Sequence, residues 1–190
     1  MTAGWLKELR ALREQEPKLN DIGPLYQEMI ADNNDRGAAL IAQGLIENRL
    51  IHFLRSRLVH LTETEDDSLF GRDAPLSTFS DQIKIAHAFG LIDIEVRNDL
   101  ERIREIRNTI AHTPLPLSFS TPAIANACKG FHADWGGHKN MPWDKYPPRT
   151  AYLGVAGRLT RLLGQGSAAN TKIPLRYGAK DAAPTPLPDK

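Results

Sequence analysis

Apolar residues recur along this chain every three or four positions, the spacing of helices that bury one face, and no stretch alternates with the period of a strand. The clearest case is DIEVRNDLERIREIRNTIAH, residues 93–112. Val96, Leu100, Ile103, Ile106 and Ile110 form its stripe, Asp93 stands where an N-cap belongs, and Thr113-Pro114 bars continuation beyond His112. A second long helix is predicted over 35–60, capped by Asp35 or Asn34, with Leu40, Gly44, Ile51, Leu54 and Leu58 on its stripe. It is apolar around so much of its circumference that it should be the axis of a bundle.

Shorter helices are predicted over 4–16, 25–31, from Ser77 to Phe89 with Gly90 as C-terminal cap, from Thr121-Pro122 to Phe131, and over 150–163. TETEDD, residues 62–67, reads as a loop from which Leu69 and Phe70 tuck back onto the core. The three prolines of TPLPLSFSTP forbid a helix there. HADWGGHKNMPWDKYPPRT is too apolar for a linker and too irregular for a regular element, so it should wrap the bundle. The expectation is an all-α helical bundle with an irregular C-terminal extension: one domain over 1–163 and a flexible tail over 164–190.

Two charges break the stripes. Arg107 sits between Ile103 and Ile110 where packing alone would ask for an apolar residue, and Glu47 sits likewise between Gly44 and Ile51. Packing the two helices face to face with Glu47 and Arg107 as an ion pair reconciles both; side chains that snorkel to solvent are the alternative. With the pair buried, Glu47→Ala should destabilise by about 3 kcal/mol or more.

The formal net charge is +1, which gives no global attraction to nucleic acid or to an anionic membrane. A single cysteine, Cys128, excludes an internal disulfide. No segment has transmembrane length, and the start MTAGWLKELRALREQE lacks the apolar core of a signal peptide, so a soluble cytoplasmic protein is expected. Cys128, His132, Asp134 and His138 are the best zinc candidates, yet the second cysteine or close histidine pair of a familiar zinc site is missing. No metal and no cofactor is expected, and His52 and His87 read as ordinary, partly buried histidines.

The stretch from Leu69 to Pro122 resembles the mannitol operon repressor (MltR) family in its PLSTFSDQIKIA helix, AFGLI turn, RNTIAH ending and following PLSF; upstream, NDRGAALIAQGLIENRL is similar to that family's long helix. Together these cover 34–131, whereas nothing from His132 onward carries a resemblance. What the resemblance implies is an all-α regulator, possessing a role in transcriptional repression, that works through protein contacts with a partner or a second copy. Direct DNA binding is not expected, because the helix after the Phe89-Gly90-Leu91 turn is rich in Asp and Glu rather than Lys and aromatic readers.

RNTIAH also resembles the arginine-asparagine-x-x-x-histidine motif of HEPN domains, helical bundles many of which are dimeric, metal-independent endoribonucleases. That resemblance implies a second reading, in which Arg107, Asn108 and His112 are catalytic and RNA is the substrate. The arginine would stabilise charge on the scissile phosphate while the histidine moves the proton of a ribose hydroxyl or leaving group. On an ideal helix Arg107 and His112 lie about 140° apart, while Asn108 and His112 share a face. Without catalysis, Arg107 bridged to Glu47 and His112 bonded to the last carbonyls of its helix would account for the same string.

Overall fold

The computed structural model describes residues 34–132 and 142–168, together with 23, 24 and 27. The helices predicted over 4–16 and 25–31 lie outside the described residues, Gln27 excepted, as do Asp134 and His138.

Helix α1 (Asp35–Arg55) is capped by Asn34, whose Oδ1 accepts the Gly37 N–H at 2.9 Å. Asp35 is thereby released for longer-range contacts. Its carboxylate accepts the Phe119 N–H at 2.8 Å and pairs with Arg149, tying the start of α1 to two later segments. The helix ends at Arg55, short of the predicted His60. The Ser56 and Arg57 N–H groups turn back onto the His52 and Leu54 carbonyls, and the Ser56 hydroxyl donates to Phe53 O at 2.7 Å. Leu58 and Val59, which made the stripe look longer, find no core surface and are exposed.

The segment expected to be a loop is helix α2 (Glu63–Phe70). A capping box starts it: the Thr62 hydroxyl accepts the Glu65 N–H, while the Glu65 carboxylate accepts the Thr62 N–H at 2.8 Å. The helix buries no residue, so no apolar stripe announces it. Arg55 holds it to α1 by pairing with Asp66 at 2.5 Å and stacking on Phe70 at 4.9 Å.

Helix α3 (Phe79–Ala88) begins two residues later than predicted, with Thr78 as its cap. Its end is a Schellman motif: the Gly90 N–H bonds His87 O at 2.9 Å, and the Leu91 N–H bonds Ala86 O at 2.8 Å. Gly90 has φ 64, a conformation that only glycine adopts without strain. The tight turn delivers the chain to Asp93, whose carboxylate accepts the Val96 N–H at 2.8 Å and opens α4 (Ile94–His112) as expected.

Helix α5 (Pro122–Lys129) carries proline in its first turn, and the Thr121 hydroxyl accepts the Ser118 N–H instead of capping. Within the irregular segment a 3-10 turn, Trp143–Lys145, lays the Trp143 ring on the last helix. That helix, α6 (Pro148–Ala168), runs past both predicted ends, since Pro148 suits a first turn and Gly164 does not stop a helix already packed along its length. Gly154 leaves room for Trp143; a Cβ there would meet the ring at 2.7 Å.

Helix α1 lies against α3, α4 and α6, while α5 bridges α4 and α6. Ala39, Ala42, Ala151 and Ala156 are fully buried, which lets α1 and α6 approach closely. The Tyr152 hydroxyl donates to Ala39 O at 3.3 Å, and its ring packs on Phe119 and Phe131 at 4.9 and 6.4 Å. The chain is thus all-α, with no strand among the described residues. No described helix is long and apolar enough to cross a membrane.

Candidate functional site

The intruding charges meet at the α1–α4 seam. Helix α1 presents Glu47 and α4 presents Arg107, both half-buried. Burial pushes the Glu47 carboxyl above the usual carboxylate range, and the neighbouring Gln43 amide and the Arg107 charge only partly draw it back. The two charges feel each other across the seam, but among the described residues no ion pair or hydrogen bond joins them directly. Arg107 instead donates from Nη1 to Asn108 Oδ1 at 3.0 Å. Its Nε and the Gln43 Oε1 are buried without a hydrogen-bond partner. A lost Glu47 would therefore not orphan a bonded arginine, and the 3 kcal/mol expected of a buried pair does not apply.

His112 is the last residue of α4 and is exposed. Its side chain makes no hydrogen bond to a described residue. The carbonyls beyond the helix end are taken by α1: Arg36 Nη2 donates to Thr113 O at 2.9 Å and to Leu115 O at 3.2 Å. The structure therefore brings Arg107, Asn108 and Glu47 together, whereas His112 shares a face with Asn108 but stands roughly 140° around the helix from Arg107 and bonds to none of the three.

Of the zinc candidates, Cys128 is buried, and desolvation pushes its thiol up to about 12, the charge of Arg102 opposing this only in part. No group of three or more His, Cys, Asp or Glu side chains suited to a metal forms among the described residues. His87 sits at the end of α3 with Nδ1 3.3 Å from Ile92 O, the ordinary role expected of it.

His132 belongs to a constellation that the pattern reading missed. Asp99, on the buried face of α4, has no exposed side-chain surface, and both of its oxygens accept the His132 N–H at 3.2 Å. One of them also lies 2.8 Å from His132 Nδ1. An ionised carboxylate only accepts, so Nδ1 carries the hydrogen and the half-buried ring is fixed in one orientation. Close by, burial raises the Asp93 carboxyl; the Val96 N–H lowers it, Glu95 raises it further, and His132 and His87 lower it. The available signal was Asp99 itself, which falls between Val96 and Ile103 on the same stripe that exposed Arg107 as an intruder.

No protein-family profile, no curated protein and no solved structure matches the chain.

Proposed function

We propose that this protein is an MltR-like regulator that acts through protein contacts, in transcriptional control inside the cytoplasm, and that the outer face of α1 is its contact surface. The observation that carries the reading is an apolar stripe left in solvent on the most central helix. Leu40 and Ile41 are 37% and 43% exposed, and one turn on is Gly44. Scattered exposed apolar residues need no explanation, but these lie one turn beyond Arg36, whose side chain holds the carbonyl of Leu115, itself 61% exposed. Gly44 adds weight. A mid-helix glycine costs about 1 kcal/mol relative to alanine, and among the described residues nothing outside its own turn of helix lies within 4 Å of the Cβ it lacks. The space is of use to a helix from outside, from a partner or a second copy.

The test is complementation. In cells lacking the gene, the native chain should restore the altered transcript levels, and a folded Leu40→Asp, Ile41→Asp double variant should not. Restoration by the double variant would refute the surface.

The second reading, a metal-independent ribonuclease of the HEPN kind, draws on the accessibility of His112. Within one chain Arg107 and His112 do not share a cleft, so this reading needs a second copy to bring them onto one phosphate. Chelator-resistant RNA cleavage by the native chain, lost in His112→Ala, would replace the regulator with this enzyme; the absence of cleavage above the variant's background is the expected result.

A further inference from the structure

A groove of about 540 Å³ runs between α4 and α5. Its apolar lining comes from Ile106 on one helix and from Ala123, Ile124 and Ala127 on the other; Arg102 and His132 line it too, together with the polar Asn98, Glu101, Glu105 and Thr109 of α4. The regulator reading uses neither Arg102 nor His132.

Asp99 supports the ring of His132 from below, so Nδ1 is occupied and Nε2 has no partner among the described residues. A neutral imidazole held this way presents a lone pair. Arg102 is placed with equal definition. Its Nη1 donates to Ala127 O at 3.2 Å and its guanidinium lies 6.0 Å from the Phe131 ring centre. Gly130 makes that position available, because a Cβ there would come within 2.6 Å of Nη1. Yet no described carboxylate pairs with Arg102, and its Nε is buried without a partner. The acids beside it on the same helix are engaged elsewhere: Glu101 and Glu105 accept from Arg104 at 2.8 and 2.5 Å, and Asp99 accepts from His132. The groove's two carboxylates thus belong to Arg104, and a guanidinium fixed in a partly apolar groove with no described carboxylate bonded to it suits an oxyanion such as a carboxylate, whose two oxygens its fork matches. Sites of this size hold small molecules with an apolar body and a few polar anchors.

We propose that the α4–α5 groove binds a small organic acid carrying a hydrogen-bond donor beside its carboxylate, a hydroxy acid with a short apolar body. The carboxylate binds the Arg102 fork, the hydroxyl donates to His132 Nε2, and the body covers Ile106, Ala123, Ile124 and Ala127. Arg102 supplies affinity and His132 the preference for the hydroxyl.

Calorimetric titration of the full chain with mandelate, phenylacetate, acetate and inorganic phosphate tests this, with His132 ring nitrogen shifts followed by NMR. Mandelate should bind more tightly than phenylacetate, phenylacetate more tightly than acetate, and only mandelate should move Nε2 strongly. Arg102→Gln should weaken mandelate by about tenfold or more, as loss of a charge-assisted bidentate contact does. His132→Gln should bring mandelate down to phenylacetate. Should Arg102→Gln not fold, Arg102→Lys decides, because it keeps the charge, loses the fork and should weaken binding measurably. The proposal fails if no carboxylate binds at millimolar concentration, if acetate and phosphate bind as well as mandelate, or if binding survives loss of the Arg102 fork.

Discussion

At Glu47, burial outweighs the two groups that would keep the carboxylate charged, and this fixes the sign of a pH effect. The folded state holds the proton more firmly than the unfolded chain does. The site's contribution to stability is therefore full below the ordinary value of 4.5 and is lost as pH rises through the higher folded value. Glu47→Gln cannot titrate. The stability of that variant relative to the native chain should rise from acid toward neutral pH, measured by denaturant unfolding of both proteins; parallel curves would refute it. At His112, exposed and without a hydrogen bond, substitution by alanine should shift unfolding free energy by no more than about 0.5 kcal/mol. The two residues were readable for different reasons: Glu47 breaks an apolar period, and His112 stands before a proline-bearing stop. Asp99 breaks the same period as Arg107 yet escaped notice, because a buried aspartate is recognised by its partner, and His132 lies in a distant part of the chain where no periodicity points back to it.

The elements whose faces are buried on one side follow from spacing and caps alone, as α4 does from Asp93 to Thr113. Helix α2 does not, because it buries nothing and its signal is a pair of polar residues three apart. The N–H and hydroxyl of Thr62 hold the Glu65 carboxyl below the usual range, so that bonding is present above the unfolded value and is lost as pH falls. Thr62→Ala should accordingly speed amide exchange across Glu63–Phe70 while leaving the midpoint of global unfolding nearly in place, since α2 has no fully buried residue and meets the core through half-buried Phe70 at its far end, as expected of that residue, and through the Arg55 pair. A large fall in the midpoint would show that α2 supports the bundle. The early end of α1 has the opposite origin: Leu58 and Val59 continue an apolar pattern that tertiary packing does not reward, which spacing cannot reveal.

On the scale of the whole molecule, one buried face joins α1, α3, α4, α5 and α6, and Cys128 lies inside it with 1% of its surface exposed. The bundle class was open to reading because each core helix repeats the same spacing; which faces stay in solvent was not, since Leu40 and Ile41 look like core residues by type. Cys128 turns the packing into a measurement. A thiolate is the reactive form, and with the thiol pushed up to about 12 almost none exists at neutral pH while the chain is folded. In the unfolded chain the thiol returns to its ordinary value near 8.5 and meets reagent freely. Labelling by a thiol reagent should thus be slow in native conditions, rise in step with unfolding measured by circular dichroism, and be unchanged by a chelator, since no metal-ligating group of side chains forms among the described residues. Fast labelling of the folded chain would mean that α5 detaches from the core on its own, and acceleration by chelator would mean that a metal holds the thiol.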